Sequence, residues 1–199
     1  MVESTPLKLN LGCGYNKLQG FVNVDSAKDC NPDQLVDLES FPWPWDDDSV
    51  DEIRMSHVLE HLGQAPEVYL KIMCEIYRIC VADAVIHITV PHHRHDNFHS
   101  DPTHVRAVTP LGLALFDRQQ CEAWIAGGYS NTPLALYCGV DFVTEEVIND
   151  LDPAWQQRLQ DGSTDVATIE FHAQHGSNVI AQTRFRLRVR KQVPERDSA

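Results

Sequence analysis

Short apolar runs that stop at glycine or an acid alternate with one long amphipathic stretch through the first half of the chain. Leu9-Asn10-Leu11 runs into Gly12-Cys13-Gly14, and Phe21-Val22-Asn23-Val24 ends in Asp25. Leu35-Val36-Asp37-Leu38 and the run from Ser49 to Met55 have the same strand-sized character. From Pro66 to Cys80 the apolar residues Tyr69, Ile72, Met73, Ile76 and Cys80 recur at helical spacing, which predicts an amphipathic helix lying on a sheet. Ala82-Asp83 predicts a turn, and Ala84 to Val90 suits a strand buried on both faces. Strands in this order around a crossover helix predict an α/β chain with a mainly parallel sheet.

Patterning in the second half is shorter-ranged. Thr109-Pro110 is a cap followed by proline at the first helical position and predicts a helix to about Phe116. Asp152-Pro153 repeats that signal before Ala154 to Leu159. Thr168 to Gln174 alternates, with Ile169, Phe171 and Ala173 on one face; Gly176-Ser177-Asn178 turns; Phe185, Leu187 and Val189 alternate again. Two alternating runs around a turn predict a hairpin. Arg184, Arg186, Arg188 and Arg190 fall on its other face, read as the solvated side of an edge strand in preference to an anion site. Glu195 to Ala199 reads as a frayed tail.

Composition narrows the class. With 199 residues, 43% of them hydrophobic, the chain has enough apolar material for a sizeable core. A formal charge of −13 argues against nucleic acid as a partner. No run approaches the ~18 apolar residues of a membrane span, and Met-Val-Glu-Ser-Thr-Pro lacks the basic and apolar regions of a signal peptide. The six cysteines (Cys13, Cys30, Cys74, Cys80, Cys121, Cys138) include no C-x-x-C pair and read as reduced thiols of a cytoplasmic protein. Oligomeric state leaves no trace in the pattern.

The glycine turn carries the first chemistry. Glycines at a strand's end let backbone approach a ligand, because no Cβ intervenes. Asp25, at the tip of the next strand, is placed to accept from two ribose hydroxyls. A dinucleotide site would read G-x-G-x-x-G with its acid ~20 residues on. Here Lys17 stands at the third glycine position and Asp25 comes early, leaving few residues for a helix whose N-terminus would hold a pyrophosphate. S-adenosylmethionine has no phosphate and needs no such helix. Asp37 is suited to accept from an adenine amino group while Leu38 covers the ring.

Five motifs stand in order from Leu9 to Leu62: L-N-L-G-C-G, G-F-V-N-V-D, D-L-E-x-F-P-W-P, D-D-S-V-D-E-I and S-H-V-L-E-H-L. In them the chain resembles the class I S-adenosylmethionine-dependent methyltransferases, of the sort that act on small molecules and sugars. The resemblance implies a Rossmann-like, doubly wound α/β fold, its mainly parallel sheet finished by an antiparallel C-terminal hairpin. It implies one methyltransferase-like domain over 1–199, with a His-rich loop and helical insertion at about 91–165. By it, Gly12, Cys13 and Gly14 line the methionyl part of the cofactor, Asp25 holds the ribose, Asp37 and Leu38 flank adenine, and Ser56 and His57 lie at the inner edge of the site. The departure is the short link between the first two strands, where most such enzymes carry a full helix.

Histidine supplies the candidates for acid–base work. His57 and His61 stand four apart, on one face if that stretch is helical, but Glu60 is misplaced for the zinc motif H-E-x-x-H, so His61 reads as structural and His57 as touching cofactor or acceptor. The segment from Pro91 to His104 holds His92, His93, His95, His99 and His104 with Asp96 and Asp101. It leaves the carboxyl end of a strand, where ligands bind. A hydrogen-bonded lid, an acceptor base and a metal site all remain open for it, and His92, nearest the strand end, is the candidate base. No metal is assigned. Trp43 and Trp45 pack on the core or touch adenine. The leading expectation is methyl transfer to a small-molecule or sugar-like acceptor; the alternatives are a cofactor-binding module without transfer and a metal-dependent enzyme using the His-rich loop.

Overall fold

A computed structural model describes residues 6–191; the tail expected at Glu195–Ala199 lies outside them. Fourteen strands and helices follow one another as β1 (Leu7–Leu11), β2 (Val22–Asp25), β3 (Gln34–Leu35), β4 (Val50–Ser56), α1 (Pro66–Ile79), β5 (Cys80–Pro91), α2 (Asp96–His99), α3 (Pro110–Ala114), α4 (Arg118–Ala126), α5 (Leu134–Cys138), β6 (Phe142–Leu151), α6 (Pro153–Gln160), α7 (Val166–His175) and β7 (Ile180–Val189). The strands form one sheet in the order β3-β2-β1-β4-β5-β7-β6. β1 to β5 are parallel, and β7 runs antiparallel to both β5 and β6. This is the expected Rossmann-like α/β sheet with its antiparallel pair. The chain leaves β1 in one direction and returns on its other side as β4, so the carboxyl ends of β1 and β4 flank a switch point, where open α/β sheets bind ligands.

The core explains why the strands stop where they do. α1 begins at Pro66, whose missing N–H costs nothing there, and lays Tyr69, Ile72, Met73, Ile76 and Ile79 on the sheet. They join Leu9, Leu11, Ile53, Met55, Ile86, Ile88, Phe185 and Leu187 in one buried cluster, each contributing about 1.5–3 kcal/mol of burial. Trp43 and Trp45 pack edge to face in the same core with ring centroids 5.9 Å apart, their indole N–H groups donating to Leu38 O and Gln34 Oε1. Among the described residues no helix is long and apolar enough to cross a membrane, and no disulfide joins the six cysteines.

Several local expectations give way. Thr168 to Gln174 lies within helix α7, not a strand; Asp165 caps it by accepting from the Thr168 N–H at 2.8 Å, and only Ile169 is buried. The strand that pairs with β7 is β6, whose Glu145 and Asp150 meet the arginines: Arg184 on Asp150, Arg186 and Arg188 on Glu145. β7 is therefore an interior strand, though its arginine face is solvated as expected. β5 is buried on one face only; Val85, His87 and Thr89 sit half-buried on the other, where Glu52 contacts Lys8, Arg54 and His87. The turn expected at Ala82-Asp83 is a bulge inside β5, with Asp83 at φ +64° and the β4–β5 register jumping between Val50↔Cys80 and Glu52↔Val85. β3 covers only Gln34–Leu35, so Asp37 and Leu38 lie beyond its end.

Candidate functional site

The β1–β2 side of the crevice is made of backbone. Gly12 and Gly14 sit at φ +64° and +48°, the left-handed region that side chains disfavour. The Cys13 N–H donates to Val24 O at 2.9 Å, which locks the turn onto β2. Asp25 Oδ2 accepts from the Gly14 N–H at 2.8 Å and Oδ1 from the Ala27 N–H at 2.9 Å. Each carboxylate oxygen keeps a second lone pair. The two glycines serve different ends. A Cβ on Gly12 would stand 2.4 Å from Val58 Cγ2, whereas one on Gly14 meets nothing within 4 Å. Gly12 makes room for the protein itself; Gly14 faces open space. An open glycine face beside an acid with spare lone pairs suits the methionyl and ribose parts of S-adenosylmethionine. Cys13 is buried, and burial followed by the Asp25 charge pushes its thiol above the ordinary value, so it lines the turn as a small apolar group.

Residues the patterning missed hold this turn in place of a crossover helix. Asn10 Nδ2 donates to Asn23 Oδ1 at 2.9 Å and to Asn16 O at 3.0 Å; the Leu18 N–H also donates to Asn23 Oδ1, and Asn23 Nδ2 donates to Asp33 Oδ2 at 2.8 Å. Asn10 and Asn23 are both buried. Their signal was a polar side chain at a central strand position. Further along, Asp37 closes its own turn, accepting from the Glu39 N–H and the Ser40 hydroxyl at 2.9 Å, and is exposed; Leu38 is buried.

The β4–β5 side is made of side chains. Ser56 ends β4 exposed, and His57 follows at φ +56° with its N–H donating to Thr89 O at 2.8 Å. His57 Nε2 donates to Gln182 Oε1 at 3.2 Å, and Nδ1 lies 3.4 Å from Oε1 of the fully buried Glu60. With Nε2 committed as a donor, Nδ1 is compatible with that carboxylate when it too is protonated. Glu60 accordingly raises the His57 pKa, against burial. His92, just past β5, anchors through its N–H to Ala181 O at 3.1 Å. Its Nδ1 accepts from the Arg94 N–H at 3.3 Å, and burial, then His93, pushes its pKa down to about 4. The ring is neutral at pH 7 with its lone pair occupied, so it presents Nε2–H as a donor.

The rest of the His-rich segment is largely stitched. Buried His95 caps α2 by accepting from the Asn97 N–H through Nδ1 and donates through Nε2 to Asp152 Oδ2 at 3.2 Å, leaving neither nitrogen for a ligand. His57 and His61 do not share a helical face, because a 3-10 turn over Leu59–His61 follows the left-handed His57. His61 instead meets Thr103 and the His104 ring, with centroids 4.5 Å apart. Glu60, His61 and His104 thereby offer one ligand atom each within 4.8 Å of one another. A separate apolar cavity of about 220 Å³, lined by Tyr69, Val108, Leu113 and Phe116 among others, contains none of the predicted site residues.

No family model matches the chain, and no curated protein matches it in sequence. Solved structures do match in shape. A structure of a SAM-dependent methyltransferase from Archaeoglobus fulgidus superposes with a TM-score of 0.60 at 17% identity, covering 92% of this chain and 86% of that one. One of SAM-dependent methyltransferases from Methanosarcina mazei gives 0.55 at 12% identity over 93% and 92%. The [4+2]-cyclase SpnF gives 0.52 at 13% identity over 96% and 78%. At such identities the likeness is one of fold. This chain shares with these structures the Rossmann-like α/β fold, a mainly parallel sheet with an antiparallel pair at its end.

Proposed function

We propose that this protein is a cytoplasmic S-adenosylmethionine-dependent methyltransferase, a single domain over 1–199, acting on a small-molecule or sugar-like acceptor. The observation that carries this is the open Gly14 face beside Asp25 at the β1–β4 switch point. Gly12, Cys13 and Gly14 would line the methionyl part, Asp25 the ribose, Asp37 and Leu38 the adenine, and Ser56 and His57 the inner edge. The bound cofactor supplies an electrophilic methyl group for in-line displacement. The chain's own contribution is alignment, on the order of 7–11 kcal/mol at best. In this reading His57, held by its backbone bond to Thr89 O and by Gln182, is a fixed wall of the crevice, and His92 Nε2–H donates to the acceptor. Such a His92 orients the acceptor better than it deprotonates it, which favours acceptors that lose their proton easily.

Calorimetry with S-adenosylhomocysteine and NAD tests the cofactor, and S-adenosylhomocysteine release from S-adenosylmethionine across a panel of small hydroxyl and amine acceptors tests transfer. Tight NAD binding with no response to S-adenosylhomocysteine would refute the proposal. Cofactor binding without turnover on any acceptor would favour a binding module, or chemistry of another kind on the same fold.

A further inference from the structure

Among the described residues, Glu60 is the one side chain with two buried polar atoms that both lack a hydrogen-bond partner. It is fully buried, and neither carboxylate oxygen accepts a hydrogen bond. Among the described residues its one charged neighbour in ion-pair range is His57, at 3.4 Å and outside hydrogen-bond geometry. A buried carboxylate left this way calls for a cation.

Two histidines beside it are prepared to ligate one. The Thr103 hydroxyl donates to Asp101 Oδ1 at 2.6 Å, so its oxygen accepts from His61 Nδ1–H at 2.9 Å. His104 Nδ1–H donates to Phe98 O at 2.8 Å. Both rings are therefore held with Nδ1 protonated and the Nε2 lone pair available. A metal-bound histidine is characteristically held by such a donation from its other nitrogen. The side chain of His104 is only 7% exposed, and Asp101 Oδ2, which accepts no hydrogen bond from the other described residues, lies 3.9 Å from His104 Nε2. Backbone bonds fix the two segments together independently: Glu60 O accepts from the N–H groups of Val105 at 2.8 Å and Arg106 at 3.2 Å.

From this geometry we infer that Glu60, His61 and His104 bind a divalent transition-metal ion of the zinc class, with Asp101 or water as fourth ligand. Two imidazoles and a carboxylate suit zinc, cobalt or nickel over magnesium or calcium. One ligand atom from each of the three residues already lies within 4.8 Å of the others. The ion pins residues 101–106 to the turn behind His57, a structural role that does not depend on methyl transfer.

The test uses the full chain purified without a histidine tag and stripped with chelator. Titration with Zn2+ is expected to give one tight site per chain and a higher melting temperature, and Co2+ a visible absorption of tetrahedral character. Glu60→Gln and His104→Ala should each weaken Zn2+ binding by at least about 100-fold, and Thr103→Val by roughly 10-fold through loss of the bond that orients His61. His93→Ala and His99→Ala should leave it unchanged. His57→Ala should retain it, because Glu60 loses only a competitor. Should Glu60→Gln misfold, His61→Ala, at a more exposed ligand, gives the same answer. Zn2+ binding equal in wild type and all ligand variants, or no stabilisation of the stripped protein by Zn2+ or Co2+, overturns the inference. So does loss of the site in His57→Ala with retention in Glu60→Gln.

Discussion

The two sides of the crevice are built from different materials. On the β1–β2 side, N–H groups and a single carboxylate define the surface, and the buried amides of Asn10 and Asn23 hold it from behind. On the β4–β5 side, histidines define it, and each is oriented by a partner far away in sequence: Gln182 for His57, Ala181 for the His92 backbone, Asp152 for His95. A surface of backbone tolerates almost no change in residue type at the positions that shape it. A surface of side chains is adjustable one group at a time. That contrast fits a fixed cofactor on one side and a variable acceptor on the other.

The contrast breaks most sharply at Gly12. Gly12→Val forces a branched side chain into Val58 at a left-handed φ, and we expect at least about 3 kcal/mol of lost stability in denaturant unfolding. Gly14→Val has the same φ problem without the clash, so it should cost only about 1–2 kcal/mol while abolishing cofactor binding. Equal stability of the two variants would mean that both glycines face the same surroundings. Next in size, Asp25→Ala should weaken S-adenosylhomocysteine binding roughly 10- to 100-fold by calorimetry, since the carboxylate braces Gly14 and, in the proposed reading, would take the ribose hydroxyls. Unchanged affinity in the folded variant removes Asp25 from the site.

Across the crevice, effects should be smaller and separable from the cofactor. His95→Ala loses a helix cap and the bond to Asp152, about 1 kcal/mol, and should speed hydrogen exchange in residues 92–104 with cofactor affinity preserved. The smallest effect is one of pH. A histidine of ordinary pKa, ~6.5, would impose an ascending limb on the rate profile. His92 sits near 4, so no limb between pH 5 and 8 should vanish in His92→Gln. Its folded pKa lies below its unfolded one. The unfolded chain therefore takes up the proton first, and the contribution of His92 to stability is full above about 6.5 and lost as pH falls toward 4. An NMR titration of the His92 ring with a midpoint near 6.5 would contradict this.

Legibility in the sequence follows the same division. The strands of the first half, the glycine turn, α1 and the caps at Thr109 and Asp152 were readable, because each states its requirement within a few residues. The face of each glycine was not, since it took Val58, brought in by β4, to distinguish Gly12 from Gly14. β6 went unread and α7 was misread for a related reason. Alternation from Thr168 to Gln174 looked like a strand, yet the Asp165 cap decided for a helix, while the acids of β6 make sense as strand residues only opposite the arginines of β7. The grouping of Glu60 and His61 with His104 needed the chain to return to the same place some forty residues later.

The interior place of β7 has a consequence for how the protein is made. β7 is the sole sheet partner of β6 and the outer partner of β5, yet it follows both in the chain. A nascent polypeptide that has reached α7 already has β1 to β5 available to pair, with one flank of β5 bare. Unpaired strand edges are templates for association with other chains. On the ribosome, therefore, the interval between synthesis of β5 and synthesis of β7 is when the flank of β5 that β7 will cover lacks its native partner. Slow translation through β6, α6 and α7 lengthens that exposure.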